Sequence, residues 1–338
     1  MISPLTVTAA PSRRWLDALI RYGLLLVLVA IVIVFSVAEP AFVRVNNLFI
    51  ILQSVSIVAL LALGVTLTMA VGGLDLSIGA VAAMSLMIAS YVMVVLEWNA
   101  FAAIVISLMG GALVGLLNGW LIVRMRIPDI LATLGSMFLV IGVQLIPTGG
   151  RSIAVGMTLP NGRETEGVFS AAFLAMGRAR LWDTVPIPVL ITTVVALAVW
   201  LFLERTRIGR LFDAIGGNEQ AARLAGAPVQ RYKLLAYVLS AVLASAGGLL
   251  LAARLGRGDV SSGNGLVLDA LGAALIGFAV LGAKKPNAFG TLVGALLVAT
   301  LLNGLTMLNA PYYAQDFVKG LVLVLALMFT FGLAQRTR

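Results

Sequence analysis

Two residue types that carry much of enzyme chemistry are missing from this chain, which contains no Cys and no His. Their absence excludes thiol nucleophiles, imidazole bases, disulfides and nearly all zinc and haem ligation. The sequence also lacks a G-x-x-x-x-G-K-[ST] segment and a G-x-S-x-G segment, so it predicts neither a P-loop nor a hydrolase nucleophile. We therefore expect no catalytic residue, no metal site and no cofactor in this chain.

The most distinctive polar segment is 72–79, GGLDLSIG, within a long run that is otherwise uncharged. Paired glycines let the backbone leave a helix without a steric penalty, and Asp75 or Ser77 can then cap the next helix. Such a break is typical of a transporter's substrate path, whereas an ordinary turn with a hydrated Asp75 is the alternative. Asp269, at the start of a later apolar run, would also face a cavity or a partner. The residues expected along a path are Gly72, Gly73, Asp75, Ser77, Asn118, Asp269 and Asn303.

A second polar segment, 204–233, combines capping residues with basic residues. Asn218 is placed as the N-cap of a short helix, Gly226 as the residue that follows it, and Pro228 as a stop. A helix of two turns with no core of its own is marginal in water, so we expect it to dock on a partner. A helix lying on lipid headgroups is the alternative. The residues assigned to this docking element are Arg207, Gly209, Gly216, Gly217, Asn218, Glu219, Ala221, Ala222 and Gly226.

The elements that must position these residues are apolar helices. The chain is 61% hydrophobic and only 11% charged, whereas a soluble domain has about 25% charged residues. Lipid must therefore take up much of the apolar surface, and a helix of about 20 residues is needed to cross the bilayer. The predicted spans lie near 20–38, 48–70, 77–96, 100–123, 129–147, 186–203, 234–253, 268–283, 288–308 and 317–333.

The distribution of basic residues predicts the orientation. Ten spans put both termini on one side, and that side holds fifteen Lys and Arg against seven on the other; Lys319, inside the last span, completes the total of 23. Both termini are therefore predicted to be cytoplasmic. We expect one transmembrane domain over 1–338, with a tail at 1–19, a cytoplasmic loop at 204–233 and an outer loop at 148–185. The outer loop is a docking surface, a short surface helix or an irregular connection.

A partial internal repeat relates the fourth and ninth spans. LVGLLNG at 113–119, which includes Asn118, is matched in pieces by LVG at 292–294 and LLNG at 301–304, which includes Asn303. The two helices would run in opposite directions, which makes spans 2–5 and 7–10 candidate inverted repeats; chance recurrence of Gly and Leu is the alternative. The predicted fold is an all-α integral membrane protein of about ten helices.

Several segments resemble one known family. Residues 72–79 look like the glycine-glycine-isoleucine-aspartate-leucine-serine signature of the bacterial ABC importer permeases for ribose, xylose, arabinose and galactose. TRIG at 206–209, AIGGNE at 214–219 and AARLAG at 221–226 are similar to that family's cytoplasmic loop, and DALGAA at 269–274 to a later stretch. The resemblance covers roughly 45–335.

The resemblance implies partners and a location. A member of this family is a multi-pass inner-membrane permease that pairs with itself or with a sister permease. It works with a separate ATPase, which carries the ATP and Mg, and with a periplasmic sugar-binding protein; lipid is its other partner and nucleic acid is not one. The segment 204–226 would then couple the permease to the ATPase. One departure, GFAVLGAKKPN at 277–287 in place of a glycine-rich stretch, leaves the particular sugar open.

The residues are also compatible with two other functions. An ion-coupled secondary transporter would use buried carboxylates such as Asp75 and Asp269 as proton or sodium sites. An ABC permease could instead carry a nucleoside, a branched-chain amino acid or a furanose-like signal. A membrane enzyme is disfavoured, because the usual nucleophiles and bases are missing.

Overall fold

The protein is described by a computed structural model that covers residues 14–159, 162–263, 265–278 and 285–328. Within these residues the chain forms helices joined by short loops, one two-stranded hairpin and single turns of tighter or wider helix. The helices are α1 Arg14–Ala38, α2 Val45–Ala70, α3 Ile78–Ser90, α4 Ala100–Val123, α5 Asp129–Leu145, α6 Ala171–Arg178, α7 Ile187–Arg205, α8 Arg207–Gly217, α9 Glu219–Leu224, α10 Val229–Leu255, α11 Leu266–Phe278, α12 Ala288–Met307 and α13 Tyr312–Leu327. The strands are β1 Arg180–Leu181 and β2 Val185–Pro186.

The predicted all-α membrane fold is confirmed. Among the described residues, 7 helices are long and apolar enough to cross a membrane, namely α2, α4, α7, α10, α12 and the extended forms of α3 and α5. A helix also lies at each of the other predicted positions, as α1, α11 and α13. The last residues of the predicted eighth and tenth spans, 279–283 and 329–333, lie outside the described residues.

Several helices begin earlier than the apolar pattern predicts. α10 begins at Val229, because its first turn carries Arg231 and Lys233 out of the apolar region without ending the helix. α13 likewise begins at Tyr312, ahead of Asp316 and Lys319. Charged residues mark where a helix leaves the membrane, so the apolar run underestimates the length of the helix.

α2 and α10 form the centre of the bundle. Residues 56–68 of α2 are buried on every side, and α10 packs against α2, α3 and α4. The contact between α4 and α10 is close because Gly111 and Gly115 have no side chain: a methyl group on Gly115 would lie 2.6 Å from the Tyr237 carbonyl oxygen. Small residues at such crossings let membrane helices approach closely.

The outer loop 148–185 contains a short surface helix, α6, as one of its three interpretations expected. Ser170 caps α6 by accepting a hydrogen bond from the Phe173 backbone N–H at 3.2 Å. Phe173 is buried, and α6 packs against the end of α10. The hairpin of β1 and β2 follows and leads into α7. This part of the chain is therefore an ordered cover on one end of the bundle.

Candidate functional site

The turn between α2 and α3 depends on two adjacent glycines that meet different requirements. Gly72 has φ +77°, a left-handed conformation that strains any residue with a side chain. Gly73 lies directly against the ring of Tyr237 from α10, and a methyl group at Gly73 would overlap the Tyr237 hydroxyl. The break in the apolar run therefore needs glycine once for backbone conformation and once for space.

Asp75 lies at the centre of a buried hydrogen-bonded group. Its side chain is fully buried, and Oδ1 accepts from the Ser77 backbone N–H at 2.9 Å and from Ser77 Oγ at 2.6 Å. Oδ2 accepts from Ser240 Oγ of α10 at 3.0 Å, and Ser77 Oγ accepts from Asn118 Nδ2 of α4 at 2.9 Å. We call these four residues the Asp75 cluster; it joins the start of α3 to α4 and α10.

The structure corrects two expectations about this turn. Ser77 occupies the N-cap position of α3, but its side chain makes no capping bond. Asp75 binds the N–H of Ser77 itself, so its carboxylate closes the turn rather than caps the helix. The alternative with a hydrated Asp75 is also wrong, because the carboxylate is enclosed on all sides.

The first turn of α5 supports the same segment, which the sequence analysis did not predict. Asp129 Oδ2 accepts from the Leu74 backbone N–H at 2.7 Å, and Thr133 Oγ1 accepts from the Leu76 backbone N–H at 3.2 Å. Buried backbone donors need such acceptors. Pro128 followed by Asp129 is a recognisable helix start, but nothing in the local sequence indicates that the carboxylate reaches back to a turn 55 residues earlier.

Two of the seven predicted path residues lie away from the Asp75 cluster. Asp269, on α11, forms an ion pair with Lys319 of α13, with Nζ to Oδ1 at 3.2 Å. Asn303, on α12, exchanges hydrogen bonds with Asn47 of α2 at 2.9 and 3.0 Å. The structure therefore brings together Gly72, Gly73, Asp75, Ser77 and Asn118, while Asp269 and Asn303 each fasten a different pair of helices.

The predicted short helix in the segment 204–233 is present as α9. Asn218 Oδ1 accepts from the Ala221 backbone N–H at 3.0 Å, which confirms the N-cap. Gly226, with φ +84°, follows the helix as expected. Glu219 bonds Lys233 at 2.5 Å and Arg223 at 2.8 Å; the bond from Lys233 is the main reason that the pKa of Glu219 lies below its usual value.

α9 does not stand alone, which corrects the argument from isolation. Thr206 Oγ1 accepts from the Gly209 backbone N–H at 3.0 Å and starts a further helix, α8, which was not predicted from the sequence. α8 buries Phe212 and Ile215 against neighbouring helices. The helix pair α8–α9 thus rests on the bundle through α8, while Leu224 of α9 is 90% exposed.

The two motifs found separately in the sequence touch each other in the fold. Gly216, near the end of α8, lies against the end of α2 so closely that a methyl group there would overlap the Ala70 carbonyl oxygen and lie 3.3 Å from the Gly72 nitrogen. Gly217, the next residue, faces open space. α8 is therefore in direct backbone contact with the turn that carries Asp75.

A cleft of about 520 Å³ opens beside this contact. Its walls come from the α2–α3 turn, the α4–α5 connection, α9 and the first turns of α10, with Gly73, Asp129, Glu219, Lys233 and Tyr237 among the lining residues. The Tyr237 hydroxyl is buried there, directly against Gly73. α9 therefore borders an empty space on the side that faces the α2–α3 turn.

The chain is similar to known proteins over most of its length. The family model for the permease component of the branched-chain amino acid transport system matches residues 47–327. The ribose import permease protein RbsC of Escherichia coli K12 is 38% identical over 94% of each chain. The protein of the same name from Bacillus subtilis 168 is 32% identical over 91% of this chain and 92% of the relative. The xylose transport system permease protein XylH of Escherichia coli K12 is 29% identical over 88% of each chain. No solved structure matches.

The family match includes every element that builds the site. It begins in α2 and ends with the last residue of α13, and so contains the Asp75 cluster, the α8–α9 pair and the contact between them. Because the match runs from α2 to the end of α13 and long apolar helices recur along it, the chain belongs to the permease-component family of the branched-chain amino acid transport system and is a multi-pass protein of the inner membrane.

Proposed function

We propose that this chain is the membrane-spanning subunit of an ABC importer for a monosaccharide. The contact between Gly216 of α8 and the α2–α3 turn carries the proposal, because it joins an exposed helix pair to a buried polar turn by direct contact of the two backbones. A separate ATPase needs such a contact in order to move the helices of the bundle. The relatives named for ribose and xylose make a pentose the best-supported cargo.

The proposed partners fit the two ends of the bundle. A separate ATPase, which holds ATP and Mg, binds the α8–α9 pair. A periplasmic binding protein delivers the sugar to the outer loops, of which 148–185 is the longest. A second permease copy, identical or related, completes the path. This chain then needs no cofactor and no catalytic residue of its own.

An inverted repeat is the proposed basis of alternating access, and pairwise helix packing supports it. α4 packs on α10 as α12 packs on α2, and α3 packs on α10 as α11 packs on α2. The turn between α10 and α11 also repeats the α2–α3 turn: Asp259 Oδ1 accepts from the Ser261 backbone N–H at 2.9 Å and from Ser261 Oγ at 2.7 Å. These correspondences favour α2–α5 and α10–α13 as related halves of opposite orientation.

The mechanism follows from these contacts. When the ATPases close, they displace α8 and α9 toward the bundle. Gly216 transmits the displacement to the α2–α3 turn, and the Asp75 cluster passes it to α4 and α10. The opening between the permease copies then changes from one side of the membrane to the other. The permease needs only weak affinity for the sugar, because the binding protein supplies it. Both termini are cytoplasmic in this arrangement.

An ion-coupled carrier is the weaker alternative. It would need carboxylates free to exchange protons or sodium. Both oxygens of Asp75 accept hydrogen bonds from serine, and Asp269 is paired with Lys319. Neither carboxylate is therefore without a partner.

Reconstitution tests the proposal directly. The chain is placed in proteoliposomes with its ATPase and its binding protein, and uptake of radiolabelled ribose, xylose and leucine is measured with and without ATP. We expect pentose uptake that requires ATP and the binding protein. Uptake driven by a proton or sodium gradient without the ATPase would overturn the class, and ATP-driven uptake of leucine alone would overturn the cargo.

A further inference from the structure

A second connection to α8 starts at the other end of the sequence. Lys285, just before α12, places its ammonium 2.7 Å from Asp213 Oδ2 of α8 and 3.1 Å from Glu204 Oε1 at the end of α7. One side chain thus joins three elements. The hydrogen bond to Asp213 is the main reason that the pKa of Lys285 lies above its usual value, so the ammonium stays charged at neutral pH.

Lys285 is firmly attached to the core on its own side. Asn287, two residues later, caps α12 by accepting from the Gly290 backbone N–H at 2.6 Å. Thr291 then shares a hydrogen bond of 2.6 Å with Thr66 in the buried part of α2. Lys285 therefore links the positions of α8 and α12, so that a movement of either helix displaces the other.

The location of Lys285 also shows which part of the structure the segment 277–287 contacts. In the sequence, GFAVLGAKKPN at 277–287 stands where the family has a glycine-rich stretch, and it leaves the particular sugar open. Of this segment, 279–284 lies outside the described residues. Lys285 lies beside α7 and α8 and makes its polar contacts there, not in the Asp75 cluster. The charge of Lys285 therefore acts on the end of α7 and on α8.

We propose that Lys285 is a positioning residue for coupling, which holds α8 against α7 and α12 so that its displacement reaches α12 together with the α2–α3 turn. The inference rests on the proposed function and adds a second route to it. Gly216 delivers the displacement to the first repeat, and Lys285 delivers it to the second. Both halves then respond to one movement of the ATPase.

The test compares Lys285→Gln with Lys285→Arg in proteoliposomes that contain the ATPase and the binding protein. Removing the charge should lower the amount of pentose imported per ATP hydrolysed at least five-fold, while ATP hydrolysis and co-purification of the ATPase persist. Arginine should retain most of the ratio, because it can still pair with both carboxylates. Asp213→Asn combined with Lys285→Gln should be no worse than Lys285→Gln alone.

The matched control is Arg124→Gln, which removes one exposed positive charge that makes no ion pair with another described residue. An equal fall in the ratio for Arg124→Gln and Lys285→Gln, or no fall for Lys285→Gln, overturns the inference. Absence of ATP-driven uptake in the unmodified complex overturns the proposed function instead.

A second readout does not depend on transport. The chain has no native cysteine, so a spin label on Ala214→Cys, at an exposed position of α8, reports the mobility of that helix in nanodiscs. Lys285→Gln should increase the mobility of the label and Lys285→Arg should not. Equal spectra for all three proteins would overturn the positioning role.

Discussion

At the scale of single residues, Asp75 combines complete burial with three accepted hydrogen bonds. Asp75→Ala would leave the Ser77 N–H and two hydroxyls without their acceptor, and each unpaired buried group costs about 1–3 kcal/mol. Asp75→Asn keeps one oxygen in place and should cost less. We expect the thermal midpoint in detergent to fall in the order wild type, Asn, Ala. Equal midpoints for Asn and Ala would contradict the role assigned to the carboxylate.

Gly73 and Tyr237 allow a sharper test, since they touch. Gly73→Ala places a methyl group on the Tyr237 hydroxyl, and such overpacking costs about 1–3 kcal/mol. Tyr237→Phe removes the hydroxyl that the added methyl would meet, so by itself it should cost less than Gly73→Ala. The double variant should recover part of the stability and uptake lost in Gly73→Ala. Strictly additive losses would show that the two sites do not act on each other.

Residue-scale prediction from the sequence succeeded where the signal was local. Asn218 as a cap and Gly226 after α9 follow from the hydrogen-bonding and backbone properties of those residues alone. Asp129 and Ser240 were missed, because each acts on a turn that is distant along the chain and nothing near them in the sequence indicates it. The capping role expected for Ser77 was wrong because its hydroxyl is already engaged: it donates to Asp75 Oδ1 and accepts from Asn118 Nδ2.

At the scale of elements, α8 illustrates what periodicity alone does not reveal. The sequence predicted one short helix in this segment, α9, yet Thr206 ends α7 and caps a second helix, α8. The helix exists because Phe212 and Ile215 find a buried surface on the bundle, and the local sequence contains no information about that surface. The long apolar helices, by contrast, were predicted well. A helix that crosses the bilayer must be long and apolar, and both properties can be read from its own sequence.

The end of α8 provides a matched pair of variants. Gly216→Ala should push α8 away from the Ala70 carbonyl oxygen, whereas the added methyl of Gly217→Ala meets nothing within 4 Å. We therefore expect at least a ten-fold greater loss of ATP-driven uptake for Gly216→Ala than for Gly217→Ala, with both proteins inserted in the membrane. Similar losses for the two variants would place the transmission of force elsewhere.

At the scale of the whole molecule, the proposed topology puts α9 and the β1–β2 hairpin on opposite sides of the membrane. Leu224 is 90% exposed and Trp182 is 83% exposed, so cysteines at these positions should react freely with a maleimide. In intact cells an impermeant maleimide should label Trp182→Cys but not Leu224→Cys, and inside-out vesicles should show the reverse. Labelling of both from the same side would contradict an odd number of spans between them.

The close contacts between α11 and α12 have a consequence for how this bundle can change shape. Gly277 and Gly290 bring the two backbones together, and Gly294 does the same with Ala273. Side chains can rotate to absorb a shift, but a backbone pressed on a backbone has no such freedom. α11 and α12 should therefore travel as one rigid block, and any hinge must lie at its borders. Lys319 and Asp269 form such a border with α13, where a single ion pair can re-form at a new angle while the block stays intact.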